Sequence, residues 1–113
     1  MKQWQIYLYP FEEEKPHPVV IISNDEFCGN DNYKYVNGLI CASVRDNREP
    51  KRREIVLDES DGLDRKTAVR CDFIHVLKKE TFKEQRGFIT QRRQKEITRK
   101  IAETFRFSGY FSM

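Results

Sequence analysis

The sequence predicts a mainly β protein with one C-terminal α-helix, arranged as a small antiparallel sheet or partly open barrel. Three observations predict it. Short apolar runs rich in β-branched and aromatic residues fill the first two thirds of the chain, connections containing Pro, Asn, Asp or Gly separate them, and the last third changes to a helical period. At 113 residues the chain fits a single domain spanning 1–113.

From Trp4 to Phe11 both alternating faces hold large residues (Trp4, Ile6 and Leu8 against Tyr7, Tyr9 and Phe11), the pattern of a strand covered on two sides. After the charged connection Glu12 to Pro16, Pro18 opens the run Val19 to Ile22, a second strand that stops at Ser23-Asn24-Asp25. Asn24 to Lys34 is polar and reads as a longer loop, and Tyr35 to Val44 is a third strand ending near Ser43. Glu54 to Leu57 is a short strand closed by a turn over Asp58 to Gly62. Thr67 to Val76 is a further strand whose apolar parity switches after Phe73, so a kink is expected there. Past a short turn at Glu80 to Glu84 and then Gly87, Ile97, Ile101 and Phe105 recur at i, i+4 and i+8. Arg92, Arg93, Lys95, Arg99 and Lys100 fill much of the remaining circumference, which makes Arg92 to Phe105 an amphipathic helix. The aromatic tail Phe107, Tyr110 and Phe111 calls for burial in the core or against a second chain.

Composition excludes whole classes. With 38% hydrophobic and 12% aromatic residues the chain can build a core and is not a disordered segment. Its longest aliphatic run, Val19 to Ile22, is far short of the roughly 20 residues of a membrane helix. The start lacks the apolar region of a signal peptide, so a cytoplasmic protein with no membrane contact is expected. Cys28, Cys41 and Cys71 form an odd, widely spaced set, and His17 and His75 are the only histidines. Neither a disulfide framework nor a metal centre follows from them, and chemistry without metal or cofactor is expected. The net charge of +3 conceals an asymmetry: residues 1–64 carry 8 basic and 13 acidic side chains, residues 65–113 carry 13 basic and 5 acidic. The second half suits a polyanion or an acidic protein.

Chemistry concentrates in Thr67-Ala68-Val69-Arg70-Cys71-Asp72. Residues i and i+2 of a strand share a face, so Arg70 and Asp72 stand together opposite Val69 and Cys71. A guanidinium can bind phosphate oxygens in a bidentate way, and a neighbouring carboxylate can take a proton from an attacking hydroxyl. His17, between Pro16 and Pro18, is a rigidly placed acid or base candidate. Ser43, at the end of the third strand, has Arg45 and Arg48 nearby, which read equally as phosphate ligands or as the solvated charges of a hairpin, while His75 between Ile74 and Val76 reads as structural.

The ordered set of segments resembles the PemK/MazF family of toxins from bacterial toxin-antitoxin pairs. Gln5-Ile6-Tyr7-Leu8-Tyr9 looks like that family's opening strand, and Lys15-Pro16-His17-Pro18 followed by Val19 to Ser23 is similar to its second. Cys41-Ala42-Ser43-Val44-Arg45, then Gly62-Leu63 with Thr67 to Asp72, and the closing stretch from Leu77 through Gly87 to the helix complete the likeness. The Arg70-Cys71-Asp72 tripeptide is particularly like the Kid/PemK branch. The resemblance implies an SH3-like barrel with a C-terminal helix, a homodimer, and a metal-independent endoribonuclease acting on single-stranded RNA, including mRNA. In such enzymes the ribose 2′-hydroxyl attacks the adjacent phosphate and leaves a 2′,3′-cyclic phosphate and a 5′-hydroxyl. It further implies Asp72 as general base, Arg70 as acid or oxyanion stabiliser, and Ser43 at the scissile phosphate. Lys15, Arg45, Arg48 and Thr67 are the expected substrate contacts. The implied partner is a cognate antitoxin, with DNA reached only through the toxin–antitoxin complex.

The chain departs from the family pattern at three places. His17 stands where many members place an arginine, Ser43 replaces a threonine, and Glu12, Glu13 and Glu14 put negative charge in a loop expected near RNA. Two alternatives keep the fold: a member that binds RNA or protein without cutting, and a CcdB-like gyrase poison. Gyrase poisons of that kind use a tryptophan near the C-terminus, whereas Trp4 is the only tryptophan here.

Overall fold

Glu54 to Leu57 and Tyr35 to Ser43 form strands over the ranges their β-branched and apolar residues predict, and the other elements arrange themselves around them. In a computed structural model that describes residues 1–11, 15–46 and 48–106, the strands are Gln5–Tyr9 (β1), His17–Ile21 (β2), Tyr35–Ser43 (β3), Glu54–Leu57 (β4), Thr67–Arg70 (β5), His75–Lys78 (β6) and Gln85–Phe88 (β7). Two helices accompany them, Asp25–Gly29 (α1) and Gln91–Phe105 (α2). The sheet runs β4-β5-β3-β2-β1-β7 with β6 also paired to β3, every pairing antiparallel. It is a curled half-barrel closed on one side by α2, the mainly β fold the sequence predicts. The expected aromatic tail and the Glu12 to Glu14 loop lie outside the described residues.

Both faces of the sheet are covered, as the two-sided first strand requires. Ile6, Val20, Leu39, Cys41 and Val69 meet Ile97 of α2 on one face. Val19, Ile21, Val36 and Leu77 meet Cys28 of α1 on the other, with Tyr7, Tyr9, Phe11 and Phe82 packed against them. Each fully buried aliphatic side chain contributes about 1.5–3 kcal/mol. All three cysteines are free and buried. Desolvation pushes the Cys71 thiol up to about 12 and raises Cys41 as well, so these sulfurs serve as packing groups.

Four differences from the sequence reading have physical causes. The first strand starts at Gln5, because Trp4 adopts a left-handed conformation with φ 74° and turns the chain into it. The polar loop contains α1, nucleated by Asn24, whose side chain accepts from the Phe27 N–H. The expected kinked strand is two strands, β5 and β6, on the same partner. Cys41 pairs with Val69 and Gly38 with His75, so three steps along β3 answer six along the other strand and residues between Arg70 and His75 are extruded. β7 follows a short 3-10 turn at Lys79–Thr81; its Gln85-Arg86-Gly87 start gives no apolar alternation to read.

A further difference concerns Arg93. Helical periodicity places it among solvated cations, yet it is buried and donates to Asp61 at 2.7 Å, to Asp58 at 3.0 Å and to the Val56 carbonyl at 2.6 Å. Asp61, itself fully buried, also accepts from the Thr90 and Asp58 backbone N–H groups. This network fixes the start of α2 to the β4–β5 connection. Gly87 lets that connection approach, since a Cβ there would lie 2.1 Å from the Asp61 carbonyl oxygen.

Candidate active site

β5 ends at Arg70, and the extruded segment that follows turns Asp72 back beside it. Arg70 Nε donates to Asp72 Oδ1 at 3.1 Å and Nη2 to Oδ2 at 2.7 Å, a bidentate pair. The guanidinium also lies 4.7 Å from the Phe73 ring centroid. Three contacts therefore orient a side chain that still leaves 54% of its surface to solvent. The hydrogen bonds from Arg70 hold the Asp72 carboxyl below its ordinary value, with Arg53 adding a smaller pull in the same direction. Asp72 is an ionised acceptor at neutral pH, and the same pairing raises Arg70 and keeps it charged.

The pair opens onto a cleft of ≈ 290 Å³ shared with Lys51, Arg52, Arg53 and Glu54. Register explains this neighbourhood. Glu54 is the β4 partner of Arg70, and Cys71 N donates to the Arg53 carbonyl at 2.9 Å. The run Lys51-Arg52-Arg53 looks like ordinary hairpin charge in the sequence, and only the β4–β5 pairing brings it to Asp72. Arg48 is held near this end by Glu54, with Nη1–Oε1 at 2.8 Å and Nη2–Oε2 at 3.2 Å, so its guanidinium is engaged by a carboxylate. Arg45 is exposed and lines neither this cleft nor the next.

His17 occupies the first position of β2, where its Nδ1 lies 3.3 Å from the Cys41 carbonyl and its ring 5.8 Å from Phe11. It shares the parity of Val19 and Ile21, and therefore the face that carries Ala68 and Arg70 rather than the one facing α2. Between them runs β3 with Ala42 paired to Ala68. Two strand spacings, about 10 Å, separate the backbones of β2 and β5.

Ser43 and Thr67 form a register pair on β3 and β5, one residue away from Ala42 and Ala68, and so lie on the opposite face from Arg70. They join Lys15 along a separate groove of ≈ 670 Å³ bordered also by Arg65 and Arg86. Thr67 is buried and spends its hydroxyl on the Arg65 carbonyl at 3.0 Å. The structure thus divides the sequence candidates: Arg70, Asp72 and His17 share one face, Lys15, Ser43 and Thr67 another. His75 is half-buried and paired to Gly38, with its ring 6.4 Å from that of Phe73. Among the described residues no three His, Cys, Asp or Glu side chains converge as metal ligands, and no helix is long and apolar enough to cross a membrane.

The family model of PemK-like, MazF-like toxins of type II toxin-antitoxin systems matches residues 2–105. No curated protein matches the chain. Among solved structures, an endoribonuclease in complex with its cognate antitoxin from a mycobacterial species superposes with a TM-score of 0.79 at 19% identity, covering 95% of this chain and 96% of that one. The toxin MazF-mt6 of Mycobacterium tuberculosis gives 0.74 at 17% identity over 89% and 95% of the two chains. A further mycobacterial endoribonuclease gives 0.72 at 20% over 93% and 90%.

Proposed function

The chain belongs to the PemK-like, MazF-like toxins of type II toxin-antitoxin systems, and from that premise we propose that it is an endoribonuclease that cuts single-stranded RNA without a metal ion and is restrained by a cognate antitoxin. The observation that carries this reading is the exposed bidentate pair of Arg70 and Asp72 at a cleft lined by three further cations. A polyanionic strand is drawn to such a cleft, and its phosphate finds a guanidinium already oriented.

In the proposed reaction Asp72 accepts the proton of the ribose 2′-hydroxyl as its oxygen attacks phosphorus. The bond from phosphorus to the 5′-oxygen breaks, leaving a 2′,3′-cyclic phosphate, and the departing oxygen takes up a proton to become a 5′-hydroxyl. Arg70 is a poor proton donor because its partner keeps it charged, so its role is to stabilise charge on the phosphate oxygens. His17, on the same face, supplies the proton to the leaving oxygen, imidazole being the side chain that exchanges one near neutral pH. Lys15 and Ser43, on the other groove, hold flanking nucleotides rather than the scissile phosphate, while Thr67, buried and bonded to Arg65, shapes that groove from within.

A second copy of the chain is the proposed partner of the exposed apolar patch Phe73, Ile74 and Val76, whose exposures of 54%, 40% and 68% are high for such residues. Antitoxin contact is supported by the excess positive charge of the second half.

The deciding experiment incubates the antitoxin-free protein and its Arg70→Ala variant with mixed single-stranded RNA in excess EDTA and identifies the fragment ends. Cyclic phosphate and 5′-hydroxyl ends, lost by about a hundredfold or more in the variant, are expected. Equal cutting by both proteins removes Arg70 from the mechanism, and intact RNA from folded wild type leaves a binding module. An unaltered pH–rate profile in His17→Asn would remove the proton-donor role from that residue.

A further inference from the structure

α2 carries five cations, and the structure commits two of them to carboxylates. Arg93 is buried against Asp61 and Asp58 and Arg92 reaches Glu96 at 3.8 Å, while Lys100 is half-buried. Lys95 and Arg99 remain exposed and make no ion pair among the described residues. They stand at i and i+4 on one stripe of the helix, where like charges repel. The carboxylates of the same helix, Glu96 and Glu103, lie beyond ion-pair distance of both.

These two cations border a groove of ≈ 370 Å³ completed by Gln94, Thr98 and Trp4. Trp4 is the second unusual feature there. A bulky residue at φ 74° is strained, and the fold holds it in place by two backbone hydrogen bonds, Trp4 N to the Ile21 carbonyl at 2.7 Å and Ile89 N to the Trp4 carbonyl at 2.9 Å. The polar walls are already satisfied by protein. Gln94 Nε2 donates to the Ile89 carbonyl at 2.9 Å and Thr98 Oγ1 to the Gln94 carbonyl at 2.8 Å. What the groove offers a ligand is a half-buried indole and two cationic donor groups, so it selects an anion with a flat apolar part.

The geometry points to a second binding surface for single-stranded RNA at this groove, with a base stacked on Trp4 and neighbouring phosphates on Lys95 and Arg99. This deepens the ribonuclease reading and rests on it. Leu39, Cys41 and Val69 point toward α2 while Ala68 and Arg70 point away, so the groove holds a stretch of strand distant from the bond that is cut. An acidic protein segment carries the same charge, but docking one needs a pocket that buries an apolar anchor. Among the described residues Trp4 is the only apolar one lining this groove, and one aromatic beside two cations is the pattern of a stacking platform.

The test uses single-stranded RNA methylated at every 2′-oxygen, which lacks the attacking hydroxyl, in lengths of about 6 and about 20 nucleotides. Binding is measured against salt for wild type and for the double variant Lys95→Gln/Arg99→Gln, whose changes are on the helix surface. The long RNA is expected to bind the variant roughly tenfold more weakly, with a salt slope shallower by about 1.4, the value for two lost phosphate contacts. The short RNA, filling only the cleavage cleft, is expected to bind both proteins alike. Trp4→Leu should reproduce the loss for the long RNA without the change in slope. Equal binding of the long RNA by wild type and double variant overturns the proposal while leaving the ribonuclease reading intact. Failure of wild type to bind either RNA overturns both. A poly-glutamate peptide that binds wild type and loses affinity for the double variant, when the long RNA does not, assigns the groove to an acidic protein instead.

Discussion

Arg93 Nη1 and Asp61 Oδ2 lie 2.7 Å apart in the protein interior, and this contact joins the first turn of α2 to the turn between β4 and β5. Each ion satisfies the other, and each also bonds backbone that would otherwise be stranded: Arg93 takes the Val56 carbonyl, Asp61 the Thr90 and Asp58 N–H groups. Removing one partner leaves a buried charge without its counterpart. Asp61→Ala is therefore expected to destabilise the fold by about 3–5 kcal/mol, and Arg93→Ala by a similar amount. Replacing both by apolar residues of matching volume should cost much less. Denaturant titrations of the three variants check this, and a double replacement as damaging as the singles would show that the backbone contacts matter more than the charge pairing.

Gly87 answers for the same junction from the other side. Its absent Cβ is what allows the Asp61 carbonyl to sit where a methyl group would be 2.1 Å away, with the Gly62 Cα at 3.4 Å. Both neighbours are backbone, so neither can rotate aside. Gly87→Ala should cost about 2 kcal/mol or more, seen as a lower melting temperature, although alanine suits a strand better than glycine.

Acid stability should depend on Asp58. Its carboxyl is pulled down to about 2, first by the Ser60 hydroxyl, then by the Ser60 N–H and Arg93. A carboxylate with a depressed folded-state pKa stabilises the protein above its unfolded value near 4 and loses that contribution as the pH falls through about 2. Asp58 is partly open to solvent, which screens the effect. Wild type is expected to exceed Asp58→Asn in stability at pH 6, with the gap closing between about pH 4 and pH 2. A gap that does not change over that window would mean the carboxylate charge contributes nothing.

What the sequence discloses and what it hides follow from the range of the interactions concerned. β3 and β4 end where the sequence says because β-branched residues and turn formers are local signals. The Arg70–Asp72 pair is equally local: two residues apart, they meet whether or not the strand continues to Asp72, and here it does not. The placement of Arg53 beside Asp72, and of Ser43 on the face away from Arg70, depends on which strands pair and in which register, and neither is written in a single segment. Arg93 is hidden for a related reason. An arginine on a helix is normally solvated, and only the approach of Asp61, 32 positions earlier, makes its burial tolerable.

The same Arg70–Asp72 geometry sets the acid limit of the proposed reaction. A general base works only when deprotonated, so on the acid side the rate rises with pH through the pKa of that carboxyl. Arg70 holds the Asp72 carboxyl below its ordinary value, which places the acid limb of the pH–rate profile below the usual carboxylate range. Arg70→Gln removes the positive charge that favours the ionised form. Residual cleavage in that variant should be lower by about a hundredfold or more, and its acid limb should move up toward the ordinary value near 4. Arg70→Lys keeps the charge and loses the bidentate geometry, so its limb should fall between the two. Rate measurements across the acid range on all three proteins, with folding followed by circular dichroism at each pH, separate this from acid unfolding. An acid limb that stays in place when Arg70 loses its charge would mean that a group other than Asp72 accepts the proton.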